Sequence, residues 1–272
     1  MRTHERVDGA ATGRAPWVLV VFALVAASML LLPLLGLLLR APWSTLTTQL
    51  REPDVLDALR LSVVTASITA LICLVVGVPL AWLLARVDFT GRQLLRALVT
   101  VPLVLPPVVG GVALLTVFSR NGLVGQWLDD ATGITIPFTT TAVVMAQTFV
   151  ALPFLVLSVE GALRSSDPRF DEVAATFGAS RQATFWQVTI PLAAPGIISG
   201  AVLAWARALG EFGATVTFAG NVPGVTQTLP LKVYRTFQSD PEAALAISLL
   251  LLAVSVAVLA ALRERWLSGL AR

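Results

Sequence analysis

Stretches of more than 20 consecutive residues without a charge recur along this chain of 272 residues, and a lipid bilayer is the solvent that suits them. Trp17 to Leu39, Leu61 to Ala85, Ala97 to Phe118 and Phe138 to Val159 contain no Asp, Glu, Lys or Arg. About 20 apolar residues cross a hydrocarbon layer roughly 30 Å thick, so each stretch reads as a membrane span with length to spare for tilt. A fifth stretch, Gly196 to Ala219, carries Arg207 and Glu211 in its interior, and a sixth, Ala243 to Leu262, ends at Arg263, Glu264 and Arg265. Only 13% of residues are charged, 56% are hydrophobic and the mean hydropathy is +0.83. Soluble domains average about 25% charged residues. The predicted fold class is therefore an all-α integral membrane protein of about six transmembrane helices. The first stretch exceeds a signal-peptide core of about 7 to 15 residues, and no A-x-A cleavage site follows closely, so it counts as a span.

Positive charge sets the orientation, because cytoplasmic loops hold the excess of Arg and Lys. With the N-terminus inside, inner segments carry Arg2, Arg6, Arg14, Arg86, Arg92, Arg96, Arg164, Arg169, Arg181, Arg263, Arg265 and Arg272, and outer ones carry Arg40, Arg51, Arg60, Arg120, Lys232 and Arg235. Both termini are expected in the cytoplasm of a multi-pass protein of the inner cell membrane. Residues 1–15 form a polar cytoplasmic tail and residues 16–272 a single transmembrane domain, with no internal repeat and no linker.

Several chemistries are excluded. The one His, His4, lies in the tail, and the one Cys, Cys73, lies inside an apolar run, so neither an intrachain disulfide nor a Cys/His zinc site is expected. The one lysine, Lys232, sits between Leu231 and Val233, so the phosphate loop GxxxxGK[ST] is absent. No metal and no cofactor is expected on this chain. The pI near 10 comes from scattered arginines with no basic block, so no nucleic-acid partner is expected either.

The longest inner loop, Gly161 to Ala194, contains a deliberate helix start. Asp167 can cap the first turn, Pro168 suits the first helical position, Asp171 and Glu172 complement the positive helix end, and Gly178 is the stop. Phe170, Val173, Ala174 and Phe177 fall at i, i+3, i+4 and i+7 and form one apolar stripe. A helix of about ten residues is marginal in water, so the stripe must dock. It packs on the protein's own helix ends, lies in the lipid interface, or enters a groove on a partner. A second short segment, Ser180 to Gln187, precedes the return to the membrane through Val188 to Pro191.

Within the spans, Val101 to Gly111 holds Pro102, Pro106, Pro107, Gly110 and Gly111. Proline removes backbone donors, and lipid does not tolerate freed carbonyls unless protein or a wet cavity covers them. This segment either lines a pathway or is a kinked helix packed through its glycines. In the fifth span a lone Arg near mid-membrane costs about 2.5 to 3.5 kcal/mol, and Glu211, four residues on, is the natural partner. Arg207 and Glu211 are a structural pair, or Arg207 lends positive potential to an oxyanion route with Thr215 and Thr217 as hydroxyl contacts. On the second reading, Arg207→Ala impairs anion uptake while the complex still assembles. The turn-rich stretch Gly220 to Arg235 reads as an outer loop.

The inner-loop segment resembles the EAA motif of ABC importer permeases, EAA-x3-G-x9-I-x-LP, with Glu172, Ala174, Gly178 and Pro191 in register and Val173 in place of the middle small residue. The string Ala206 to Gly220, with Thr226 to Leu231 and Pro102 to Gly111, resembles the molybdate permeases within that family, from about the second span to the sixth. The resemblance implies a type I ABC importer permease fold and ATPase-coupling positions at Phe170, Glu172, Val173, Ala174, Phe177, Gly178 and Pro191. The pathway candidates, read from the residues themselves, are Pro106, Pro107, Gly110, Gly111, Arg207, Glu211, Thr215 and Thr217. The resemblance also implies a homodimer, two cytoplasmic ATPase subunits that bind ATP and Mg, and an external molybdate-binding protein. The chain itself is then no enzyme. It passes molybdate, or tungstate of nearly the same size and charge, into the cytoplasm. Sulfate permeases share the Arg-Ala-x-Gly-Glu-x-Gly pattern, so another oxyanion is the alternative cargo. A secondary transporter, which usually carries inverted repeats, and a membrane-embedded enzyme are the rival classes.

Overall fold

The computed structural model describes residues 16–167 and 169–270, without the side chains of 259 and 261–270. The predicted tail at 1–15, Pro168, Arg272 and the side chains of Arg263, Glu264 and Arg265 lie outside the described residues. Among those described, the regular elements are all helical. They fall into two units, residues 1–41 and 42–272.

The first unit contains α1 (Trp17–Leu39), 23 residues with no buried side chain. The second holds the remaining helices in chain order: α2 (Leu46–Leu50), α3 (Pro53–Arg86), α4 (Arg92–Val104), α5 (Pro107–Phe118), α6 (Gly125–Thr132), α7 (Thr140–Ser165), α8 (Arg169–Thr176), α9 (Arg181–Thr184), α10 (Ile190–Leu209), α11 (Gly213–Phe218), α12 (Leu229–Phe237) and α13 (Pro241–Leu270).

The core is a packed trio of α3, α7 and α10. Small residues permit it. Gly196, Gly200, Ala204 and Ala208 recur every fourth residue on α10, all buried, which lets its backbone approach α7. An added Cβ at Gly200 would lie 3.1 Å from the Leu155 backbone. Leu84, Leu155, Val159 and Leu163 fill the space between. A second cluster joins α7 to α11 through Val143, Ala146, Ala214 and Phe218.

The third predicted span is broken where its prolines implied a kink or an irregular course: α4 and α5 are bent by 118° at Leu105 and Pro106, so among the described residues five helices are long and apolar enough to cross, or six if the bent pair counts as one span. Pro106 and Pro107 have no amide hydrogen to continue the ladder, and the chain turns there. The fifth begins earlier and ends earlier than predicted. Instead of a separate segment and a connector, α9 runs through a π-helical turn, Phe185–Thr189, straight into α10, which stops at Leu209. Residues 210–212 break the helix before α11.

The predicted outer loop is half helical. Thr226, Gln227 and Thr228 are buried, and α12 follows with Leu229 and Leu231 in the core. The Leu229 amide donates to Ser62 Oγ on α3 at 2.6 Å.

Candidate functional site

At one end of the body the chain builds α8 from local signals. Asp167 Oδ1 accepts the Arg169 amide at 2.9 Å, and Asp171 and Glu172 occupy the first turn. At the other end Gly178 adopts φ +79°, the left-handed conformation that costs glycine least. The Gly178 amide donates to the Ala175 carbonyl at 3.0 Å and the Ala179 amide to the Ala174 carbonyl at 3.1 Å, the paired closure of a Schellman motif. Ser180 Oγ then caps α9 by accepting the Ala183 amide at 3.2 Å.

The predicted stripe stays largely open within this chain. Phe170 is 54% exposed, Val173 52% and Phe177 86%; Glu172 is exposed and Ala174 half-buried. Pro191 lies in the first turn of α10, beyond the π-helical turn. The structure thus brings Phe170, Glu172, Val173, Ala174, Phe177 and Gly178 together on α8 and its C-terminal closure, and places Pro191 apart from them on α10, beyond α9 and the π-helical turn.

The opposite, polar side of α8 is tied down. Thr189 Oγ1 donates to Asp171 Oδ1 at 3.1 Å, and Arg86 Nε lies 3.7 Å from Asp171 Oδ2. Arg86 Nη2 donates to Ser166 Oγ at 2.7 Å. A cavity of about 540 Å³ opens beside this contact, lined among others by Trp82, Arg86, Asp171, Glu172, Arg181 and Phe185. Sequence reasoning read Asp171 only as a helix-end charge and Arg86 only as a topology signal.

The same end holds a second charged cluster. Glu160 is buried and accepts from Arg96 Nη2 at 2.6 Å, from Arg96 Nε at 3.0 Å and from Arg164 Nε at 2.9 Å. Arg92 and Arg96 also donate to the Leu84 carbonyl near the C-terminus of α3, at 2.8 and 3.1 Å. These contacts clamp the start of α4 onto α3 and α7. Arg164 four residues after Glu160 was a readable signal; Arg96, 64 positions away, was not.

In the membrane-embedded part, Glu211 bridges the break after α10. Its Oε2 lies 2.6 Å from Arg207 Nη2, and its Oε1 accepts the Ala214 amide at 2.8 Å. The predicted ion pair exists, but not along one helix: Glu211 stands beyond the end of α10 and caps α11. Gly111 packs where Thr217 and Ala214 leave no room, since an added Cβ would meet Thr217 Cβ at 2.7 Å and the Ala214 carbonyl oxygen at 2.8 Å. Gly110 faces Phe149 in the same way, and Pro107 meets Gly213. Thr217 Oγ1 donates to the Gly213 carbonyl at 2.8 Å, and the hydroxyl of the fully buried Thr215 has no hydrogen-bond partner among the described residues. Pro106 and Pro107 are exposed at the bend. Gly111, Thr215, Thr217, Arg207 and Glu211 therefore gather around the α5–α11 contact and the adjoining end of α10.

Comparison with known proteins places this geometry. Residues 77–269 match the family described as "Binding-protein-dependent transport system inner membrane component". The chain is 51% identical over 227 residues to the molybdenum transport system permease protein ModB of Mycobacterium bovis, covering 84% of this chain and 86% of that one. It is 40% identical over 216 residues to ModB of Escherichia coli, covering 79% and 94%. Its fold is similar to a chain of the crystal structure of a bacterial alginate ABC transporter in complex with alginate pentasaccharide-bound periplasmic protein, with TM-score 0.73, 16% identity and coverage of 91% and 93%.

Proposed function

We propose a function from one premise: this chain belongs to the family of inner membrane components of binding-protein-dependent transport systems. It is the pore-forming permease subunit of an ATP-driven ABC importer, and its cargo is molybdate. The similarity to two ModB proteins at 51% and 40% identity supports the cargo, and tungstate, a tetrahedral dianion of nearly the same size, accompanies it.

The observation that carries the coupling role is the open apolar stripe on α8. The helix is closed at both ends by its own caps, tied by its polar side, and still presents Phe170, Val173 and Phe177 outward. Docking in a groove of a separate ATPase explains why so short a helix keeps that face. Glu172 and Gly178 lie within the same contact, and Pro191 begins the helix that carries its movement inward. ATP and Mg belong to that partner, and this chain performs no chemistry.

Passage runs through the region of the α4–α5 bend, where Pro106, Pro107, Gly110 and Gly111 meet the Arg207, Glu211, Thr215 and Thr217 segment. Two copies of the chain face each other across the pathway, and an external binding protein delivers the anion to the outer side. Both termini, with residues 1–15 as a tail, face the cytoplasm. Residues 161–194 form the coupling loop of a single transmembrane domain.

The test is reconstitution. The chain is co-expressed with its cytoplasmic ATPase and incorporated into vesicles with the oxyanion-binding protein. The expected result is molybdate uptake that requires ATP, is competed by tungstate and is little affected by equimolar sulfate. Uptake driven by an ion gradient without ATP overturns the importer reading, and preferential uptake of sulfate overturns the cargo.

A further inference from the structure

We propose that Asp171 is a strut that carries movement of α8 into the transmembrane body, through a contact with Arg86 that is only half made in this conformation. The proposal rests on the reading of α8 as the ATPase contact and concerns the other, polar side of that helix.

One carboxylate links the moving parts. Asp171 Oδ1 accepts from Thr189, a buried hydroxyl at the last position of the π-helical turn that opens into α10. Asp171 Oδ2 faces Arg86, the last residue of the 34-residue helix α3. Arg86 in turn holds Ser166, the residue that closes α7. Besides its short chain connection to α7 and its packing on the segment that leads into α10, α8 thus has one side chain whose contacts reach α3, α7 and α10, the three helices of the core.

A small shift would complete the contact. Arg86 Nε is buried without a hydrogen-bond partner, and the Asp171 oxygen 3.7 Å away is out of reach. A charge-assisted N–H to O bond is about 2.7 to 2.9 Å long, so a shift of α8 by about 1 Å completes it. Leaving a buried charged donor unmade is unfavourable, which biases the helix toward that shift. Thr189 also has two choices: its one hydroxyl hydrogen serves Asp171 at 3.1 Å or the Thr184 carbonyl at 3.4 Å. A π-helical turn is a wide, adjustable joint, and the neighbouring cavity of about 540 Å³ leaves space for the movement.

The experiment uses the complete importer in vesicles and reads molybdate imported per ATP hydrolysed. In Asp171→Asn the ATPase still co-purifies, and the ratio falls about tenfold, the usual size of a coupling between two sites. Thr189→Val lowers it in the same direction, and the reversed pair Arg86→Asp with Asp171→Arg restores it over either single change. An unchanged ratio in Asp171→Asn overturns the strut. Loss of the ATPase from Asp171→Asn also overturns it, because Asp171 would then be an anchor. Failure of the unsubstituted chain to retain an ATPase overturns the underlying reading, and the strut with it.

Discussion

Glu211 serves the Ala214 amide with one oxygen and Arg207 with the other, and it is 1% exposed. Arg207→Ala therefore strands a buried carboxylate, and breaking such a pair costs about 3 to 5 kcal/mol whatever Arg207 does for the anion. The informative variant neutralises both partners. Arg207→Gln with Glu211→Gln is expected to assemble with normal yield and to import molybdate more slowly, and unimpaired uptake by this variant assigns the pair to structure alone. At Gly111 the expectation is about packing: Gly111→Ala forces a methyl against Thr217 and the Ala214 carbonyl, an overpacking worth about 1 to 3 kcal/mol, and lowers the thermal midpoint in detergent. Gly36→Ala, with nothing within 4 Å of the added atom, leaves that midpoint in place. The spacing of Arg207 and Glu211 made their pairing legible from sequence. The cap that Glu211 gives to α11 was not read, because hydropathy ran one span from Gly196 to Ala219, although Gly210 and Gly213 are residues that end helices.

For α8, the sequence reading and the structure agree to within two residues, Asp167 to Gly178 against Arg169–Thr176. Its start and stop are written in local chemistry, and local chemistry needs no knowledge of the rest of the fold. The spans around it were harder. Hydropathy reports how long an apolar stretch is and says nothing of its direction, so the 118° turn between α4 and α5 was readable only as a proline cluster. Helix α12 was hidden by its turn-rich approach, although Thr228 followed by Pro230 in the first turn is an ordinary helix start. The stripe gives the prediction at this scale. Phe177→Asp changes a side chain that is 86% exposed, so the subunit keeps its stability to within about 0.5 kcal/mol. The same change places a charge in the proposed groove, and removing an aromatic anchor typically costs about 2 kcal/mol or more of binding. ATPase recovered in pull-downs should fall at least tenfold at equal permease yield.

Within the second unit, Arg86, Arg92, Arg96 and Arg164 gather near the C-terminal end of α3, whereas Arg51, Arg60 and Lys232, which pairs with Asp54, stand at its N-terminal end, a ratio on the side of the inside-positive rule. This sorting supports the proposed sidedness, and labelling checks it. Cys73 is buried, so it leaves little background for a thiol reagent. A membrane-impermeant maleimide should label Asp130→Cys in intact cells and reach Ser180→Cys only after permeabilisation; the reverse pattern inverts the topology. The length of α3 has a further effect. At about 1.5 Å per residue its 34 residues span about 50 Å, against roughly 30 Å of hydrocarbon. Such a mast, pinned by Asp54 at one rim and Arg86 at the other, keeps the two wet faces of the protein at a set separation, so a thinner or thicker bilayer leans the body over instead of squeezing it.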